Sequence, residues 1–397
     1  MVTDRKFNQT KQTKNNSMSN AIFTAGLRTP FGRAFKGAYT EMRPDDMLVH
    51  LLTANAAKNP SIWNGQADDL IVGCAYPEGE QGYNLARMVA LGAGLDIPGM
   101  TVNRLCASSL EAAAIAAARV KADWGEHYLV GGVESMSRIP RRGANWSESD
   151  AIRSSSPNAY LPNGDTAENV ARQYPHIGRR EQEDLAAASH ENSGRAFEQG
   201  KYDRQIAPLE IARDELIRLP VNREKMASLK PCFAEDGVVT AATSSPLTDG
   251  ATSGVVLSQN RAKALGVKAC VEIVDTAVAH VGPEVMGMGP VPATQILLDR
   301  HHLQADEIAV FEINEAFAIQ VLACIEELKI PRDRVNTWGG AMALGHPLGA
   351  SGLRLLITAH DRLLDEHQTG DLALVTLCVG GGQGMSMLLR RMDLGNE

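Results

Sequence analysis

Two thiols, one histidine and an adjacent amide and carboxylate are the residues of this chain whose types and settings suit chemistry. Cys106 lies in Val102-Asn103-Arg104-Leu105-Cys106-Ala107-Ser108-Ser109-Leu110-Glu111-Ala112, a thiol ahead of an alanine-rich helical stretch. Unsatisfied N–H groups and the positive end of the helix dipole favour a thiolate there, so its pKa is expected below the ordinary value of about 8.5. That makes Cys106 the candidate nucleophile, with a small buried hydrophobe as the plain alternative. His346 stands among five glycines in Trp338-Gly339-Gly340-Ala341-Met342-Ala343-Leu344-Gly345-His346-Pro347-Leu348-Gly349-Ala350-Ser351-Gly352. Such a run lets backbone pass close to a ligand, and a histidine held in it suits a base. Cys378 ends a strand in Cys378-Val379-Gly380-Gly381-Gly382-Gln383-Gly384. This is either a tight connection or a proton-transfer thiol beside free backbone N–H groups; the spacing is neither a dinucleotide fingerprint nor a phosphate loop. Asn314-Glu315, at a strand-to-helix junction, reads equally as an N-cap pair or as a buried amide orienting a water or a histidine.

The elements that must position these groups alternate short β-branched runs with alanine- and leucine-rich helices. Ile22-Phe23-Thr24 and Leu70-Ile71-Val72-Gly73-Cys74 read as buried strands around a helix at Met47 to Ala57, an α/β pattern with both sheet faces covered. Between about Ser137 and Ser245 the alternation gives way to prolines, glycines, arginines and isolated helices such as Arg180 to Gly200, which reads as an inserted excursion. The flanking regions resemble each other: Cys106-Ala107-Ser108-Ser109-Leu110 and Gly349-Ala350-Ser351-Gly352-Leu353 each open a helix that leads to a strand ending in glycine. An internal duplication accounts for both, with a cysteine in the first copy only.

With 397 residues and a net charge of −8, the chain is long enough for two packed units and carries no basic stripe for nucleic acid. No run of roughly 18 uncharged apolar residues is present to span a membrane. Its cysteines, Cys74, Cys106, Cys232, Cys270, Cys324 and Cys378, form no zinc-type spacing. Reduced thiols in a cytoplasmic protein without a metal are therefore expected. Residues 1–20 are polar, without a secretory apolar segment, and are expected to be a disordered leader.

Taken in order, these segments closely resemble the thiolase family. The resemblance continues through Arg28-Thr29-Pro30-Phe31-Gly32, Gly131-Gly132-Val133-Glu134-Ser135-Met136-Ser137, Thr166-Ala167-Glu168-Asn169-Val170-Ala171, Asp249-Gly250-Ala251 and Met286-Gly287-Met288-Gly289-Pro290-Val291-Pro292-Ala293, covering essentially everything from Ala21 onward. It implies a five-layered α-β-α-β-α fold of two duplicated halves. The implied division is an N-terminal half at 21–136 completed by 246–269, an inserted loop domain at 137–245 carrying the coenzyme A site, and a C-terminal half at 270–397. By the same resemblance Cys106 is the acylated nucleophile, His346 its base, Cys378 the acid and base at the substrate carbon, and Asn314 the holder of an oxyanion-stabilising water. The N–H groups of Cys106 and Gly380 form a second oxyanion hole. Leu229, Phe233, Ser245, Ala316, Phe317 and Met286 are the implied substrate and coenzyme A contacts, while Arg138, Arg141 and Arg142 are either phosphate contacts or a solvated cluster.

The implied activity is cleavage of a 3-ketoacyl-CoA by free coenzyme A, a co-substrate rather than a resident cofactor, in fatty-acid β-oxidation. Thr243-Ser244-Ser245-Pro246-Leu247-Thr248-Asp249 and Ile319-Gln320-Val321-Leu322-Ala323-Cys324-Ile325 resemble the degradative branch. Pro162-Asn163 replaces the His-Met pair of short-chain biosynthetic members. The alternatives are an acetyl-CoA acetyltransferase and a non-catalytic acyl-CoA-binding homologue. Trp338 replaces an asparagine usual before Gly-Gly-Ala and either reshapes the acyl channel or packs. A homodimer or homotetramer, alone or joined to a β-oxidation multienzyme complex, is the expected assembly.

Overall fold

Residues 19–63 and 66–395 are those described in the computed structural model of the protein, so residues 1–18 of the expected leader lie outside them. The apolar runs form strands β1 (Ala21–Arg28), β2 (Gly32–Arg33), β3 (Asp69–Gly73), β4 (Gly99–Val102), β5 (His127–Ser135), β6 (Thr248–Ser258), β7 (Ala269–His280), β8 (Val310–Ile313), β9 (Leu372–Val379) and β10 (Gln383–Asp393). The helices are α1 (Pro44–Lys58), α2 (Leu85–Gly92), α3 (Ser108–Lys121), α4 (Asp150–Ser155), α5 (Asn163–Gln173), α6 (Arg179–Glu198), α7 (Arg223–Ala227), α8 (Gln259–Ala264), α9 (Pro290–His301), α10 (Ala318–Leu328), α11 (Ala341–Leu344) and α12 (Leu348–Glu366). The hydrogen-bonded order is β4-β3-β5-β6-β1-β7-β10-β9-β8, with β2 on β6.

Two copies of one pattern make this sheet. In the first, β3 runs parallel to β5, β5 antiparallel to β6 and β6 antiparallel to β1; in the second, β8, β9, β10 and β7 repeat that order and sense. The copies meet where Ile22 and Phe23 of β1 pair with Glu272 and Val271 of β7. Period-2 alternation sorts the side chains into layers. Ile71, Val130 and Val256 face the helices α3 and α12, whereas Leu70, Val72, Leu129 and Val255 face α1 and α2 on the other side. In the second copy Val375 and Met387 turn inward, and Leu374 and Leu388 turn outward to the layer of α9 and α10. The result is five layers, α-β-α-β-α. Each such apolar side chain contributes about 1.5–3 kcal/mol on burial. A single net hydrogen bond contributes about 1 kcal/mol, so the alternation rather than the ladder fixes the register.

The central layer brings the two halves together. Leu353 N–H donates to Ser109 Oγ at 2.9 Å, and Leu110 packs on Gly352, where an added Cβ would lie 2.7 Å from the leucine Cβ. Residues 109 and 110 correspond to 352 and 353, so the two contacts exchange under the duplication. From Gly349 to Leu363 every residue of α12 is buried, and its charges Arg354 and Arg362 share Glu312 of β8 at 3.5 and 2.7 Å. The segment between β5 and β6 carries α4 to α7 and folds back onto the sheet. Its Asp214 takes a fork from Arg28 at 2.7 and 2.9 Å, both side chains fully buried.

Candidate active site

Every candidate catalytic residue sits where an element ends. Cys106 lies in a 3-10 turn, Leu105–Ala107, directly ahead of α3. Leu105 holds a φ of 44° while Asn103 Oδ1 accepts its N–H at 2.7 Å. A left-handed non-glycine residue stores about 1–3 kcal/mol, and here it sits immediately before the thiol. His346 precedes α12, with its N–H on Thr248 Oγ1 at 3.0 Å. Cys378 is near the end of β9 and Gly380 follows in the turn to β10. Asn314 extends β8 by one residue, donating its N–H to Thr376 O at 2.9 Å.

The N-cap reading of Asn314-Glu315 is not what the structure shows. Ala316 and Phe317 stay outside the helix, Ala318 N–H is taken by Thr243 O, and α10 starts only at Ala318 with Phe317 as its N-cap. Glu315 instead accepts from Ser189 Oγ at 2.7 Å, Asn336 Nδ2 at 2.9 Å and Met342 N–H at 3.1 Å. Asn314 is left to face His346, its Nδ2 3.3 Å from the imidazole Nε2, and its buried Oδ1 has no partner among the described residues.

The histidine's tautomer follows from its other side. Ser351 Oγ donates to Pro347 O at 2.8 Å, so it accepts from His346 Nδ1 at 2.6 Å. Nδ1 carries the proton and Nε2 is a free base, which fits the donor that Asn314 presents to it. Ser351 was not singled out from the sequence. The spacing of a serine five residues after a histidine, one turn into the helix, was the available signal.

The electrostatics correct the expectation for Cys106. Burial pushes its thiol up to about 11, against the pull of hydrogen bonds from the N–H groups of Gly380 and of Cys106 itself, and Glu134 adds to the rise. A helix terminus contributes about 0.3–1 kcal/mol, less than the cost of an anion removed from water. Burial, helped by Arg354, likewise lowers His346 to about 3, and burial raises Cys378 well above its ordinary value, with Cys106 and Cys324 adding to it. Thiols and imidazole therefore rest neutral.

A cavity of about 530 Å³ opens over Cys106, His346 and Cys378. Met286, Ala316, Phe317, Phe233 and Ser245 line it as expected. Leu229 is not among the lining residues; it is half-buried and its carbonyl accepts from Arg179 at 2.6 Å. Of the three arginines only Arg141 reaches the cavity, because Arg138 forks onto Glu80 and Arg142 donates to Tyr160 O and lies over Trp146. Arg33, Lys36 and Arg218 join Arg141 on the walls. These cations come from separate segments, so no local run announces them. Asn163 also lines the cavity. Trp338 does not: it is buried beside Tyr202 with Nε1 on Glu366 at 2.7 Å, which is a packing role.

Comparison with known proteins gives a consistent picture. Residues 21–260 match the family described as thiolase, N-terminal domain, and residues 267–391 match thiolase, C-terminal domain. A 3-ketoacyl-CoA thiolase of Bacillus subtilis is 38% identical over 388 residues, covering 92% of this chain and 98% of its own. One of Saccharophagus degradans is 41% identical over 381 residues, covering 92% and 96%. Among solved structures, the acetyl-CoA acetyltransferase of Bacillus anthracis superposes with a TM-score of 0.85 at 33% identity, over 95% of this chain and all of that one. The dimeric peroxisomal thiolase of Saccharomyces cerevisiae gives 0.86 at 29% identity, over 95% and 98%.

Proposed function

The chain belongs to the thiolase family, and on that premise we propose that it is a degradative 3-ketoacyl-CoA thiolase, cleaving 3-ketoacyl-CoA with coenzyme A into acetyl-CoA and a shortened acyl-CoA. The observation that carries the reading is the meeting of two buried thiols and one unprotonated imidazole nitrogen on a single cavity. Carbon–carbon cleavage needs a soft nucleophile, a base for its proton, an acid for the carbanion and dipoles for two oxyanions.

Cys106 Sγ gives its proton to His346 Nε2 as it attacks the C3 carbonyl. The C2–C3 bond breaks, its electron pair passes to C2, and Cys378 supplies the proton that completes acetyl-CoA. The acyl group stays on Cys106 as a thioester. Coenzyme A then returns a proton to Cys378, its sulfur attacks the thioester, and Cys106 leaves by recovering the proton held on His346. The amides of Gly380 and Cys106, both aimed at the sulfur, support an oxyanion site for the acyl intermediate. The unpartnered Asn314 Oδ1 beside His346 supports a water bridging to the enolate oxygen. Because the resting pair is neutral, the base acts during attack rather than before it.

The cations on the walls suit the phosphates of coenzyme A. Two of the four, Arg141 and Arg218, come with Phe233 and Ser245 from the excursion, supporting its reading as a loop domain at 137–245 that carries the coenzyme site, while Arg33 and Lys36 come from the N-terminal half. Among the described residues no helix is long and apolar enough to cross a membrane. We read the protein as a cytoplasmic homo-oligomer; the yeast relative is dimeric by its description.

Steady-state thiolysis across acyl lengths tests the proposal. Medium-chain 3-ketoacyl-CoA should be cleaved at least as fast as acetoacetyl-CoA. The likeness to the Bacillus anthracis acetyl-CoA acetyltransferase supports a second reading, which activity confined to acetoacetyl-CoA would favour.

A further inference from the structure

We propose that Glu134 is a positioning residue for the reaction: its carboxylate clamps the two walls of the catalytic cavity together across the seam between the halves. This rests on the thiolysis reading for its kinetic arm. The duplication supplies the argument. Strand register pairs Gly73 with Gly132 and Glu134 with Gly250 in the first half, and Ile313 with Thr376 and Cys378 with Gly384 in the second. Counting outward, Cys74 corresponds to Asn314, Glu134 to Cys378, Asn103 to His346 and Gly349 to Cys106. The catalytic site joins Cys106 of one half to three residues of the other, so the same two-fold generates a mirror site around Gly349.

That mirror site is present and closed. A Cβ on Gly349 would lie 2.9 Å from both Cys74 Cα and a Glu134 oxygen. In the catalytic copy the thiol of Cys106 accepts backbone N–H groups; in the mirror the Glu134 carboxylate does so. It accepts from Gly349 N–H at 2.9 Å, Ala75 N–H at 2.8 Å, Tyr76 N–H at 3.3 Å and Gln81 Nε2 at 2.7 Å. Burial raises the pKa of this group and the four donors oppose that rise; because every one of these partners donates, the group is held as an acceptor-only carboxylate against the start of a 19-residue helix.

What it grips belongs to the cavity. Tyr76 lines the first-half wall, and His346 and Leu348, just ahead of the gripped Gly349, line the second-half wall. Glu134 thus ties Gly349, three residues after His346, to the Ala75–Tyr76 wall, alongside the bond of His346 N–H to Thr248 Oγ1, and its charge lies close enough to oppose thiolate formation on Cys106. Cys378, His346, Tyr76 and Arg141 line the same cavity as Cys106.

The test uses full-length Glu134→Gln and Glu134→Asp, reading kcat, KM and the pH midpoint of iodoacetamide reaction at Cys106. Glutamine removes the charge: the midpoint should fall by about half a pH unit or more, and kcat should drop roughly ten-fold or more with KM within about two-fold. Aspartate keeps the charge but loses reach, so kcat should drop comparably while the midpoint stays within about 0.3 of wild type. A purely structural role lowers thermal stability in both variants and leaves the midpoint fixed. Unchanged kcat in a folded variant, or an unmoved midpoint in Glu134→Gln, overturns the proposal. Should the glutamine variant not fold, Gln81→Met keeps the carboxylate and removes one donor; a kcat within about two-fold of wild type then overturns it. Wild type that cleaves no 3-ketoacyl-CoA sinks the thiolysis reading alone, since alkylation still reads the charge.

Discussion

At Cys106 the cost of burying an anion outweighs the attraction of a helix terminus, and alkylation should register that balance. The rate of iodoacetamide reaction should climb with pH towards a midpoint near 11; a plateau below pH 8.5 would mean that a thiolate is preformed. His346, lowered to about 3, should give no break in kcat/KM near pH 6.5, because the imidazole is already neutral throughout that range. Ser351→Ala removes the acceptor that keeps the proton on Nδ1, so the neutral imidazole also populates the tautomer protonated at Nε2, which cannot act as base; with one hydrogen bond near 1–2 kcal/mol, kcat should fall roughly ten-fold while KM holds. The candidate catalytic residues were legible in the sequence because a lone thiol before a helix and a histidine in a glycine run are local patterns. Ionisation states were not, because burial, the main cause of both shifts, comes from packing against distant elements, with Glu134 of β5 adding to the rise at Cys106. Nor was the cationic mouth, whose residues converge only on folding.

Among elements, the turn from β9 to β10 is the most exacting. Gly382 has a φ of 83°, and a Cβ there would lie 2.4 Å from Val281 O, whose own N–H donates to Gly382 O at 2.8 Å. Gly382→Ala should cost about 1–3 kcal/mol in denaturant midpoint analysis, and should lower kcat further by shifting the Gly380 amide. Preserved activity would separate that amide from the oxyanion role. The strands at Ile22 to Thr24 and Leu70 to Gly73 and the helices at Met47 to Ala57 and Arg180 to Glu198 were readable because period-2 and helical patterns are strong in such segments. The start of α10 was not: Thr243, seventy-five positions before Ala318, captures its first N–H and delays the helix.

For the whole molecule, the excursion is fastened to the sheet by Arg28 and Asp214, fully buried and forked. Arg28→Met strands a carboxylate in the interior and should destabilise by about 3–5 kcal/mol, seen as a lower thermal midpoint; the double variant Arg28→Met, Asp214→Leu should recover part of it. The duplication was visible as two helix openings, but its consequence, a proposed site that joins one half's thiol to the other half's imidazole, needed the crossing of α3 and α12. The central claim is that this crossing delivers Cys106 as the acyl carrier. Incubation with a 3-ketoacyl-CoA in the absence of free coenzyme A, followed by peptide mass analysis, tests it most directly. The account predicts an acyl mass gain on the Cys106 peptide, discharged by added coenzyme A; an adduct on Cys378 instead, or turnover near the wild-type rate by Cys106→Ala, would contradict it.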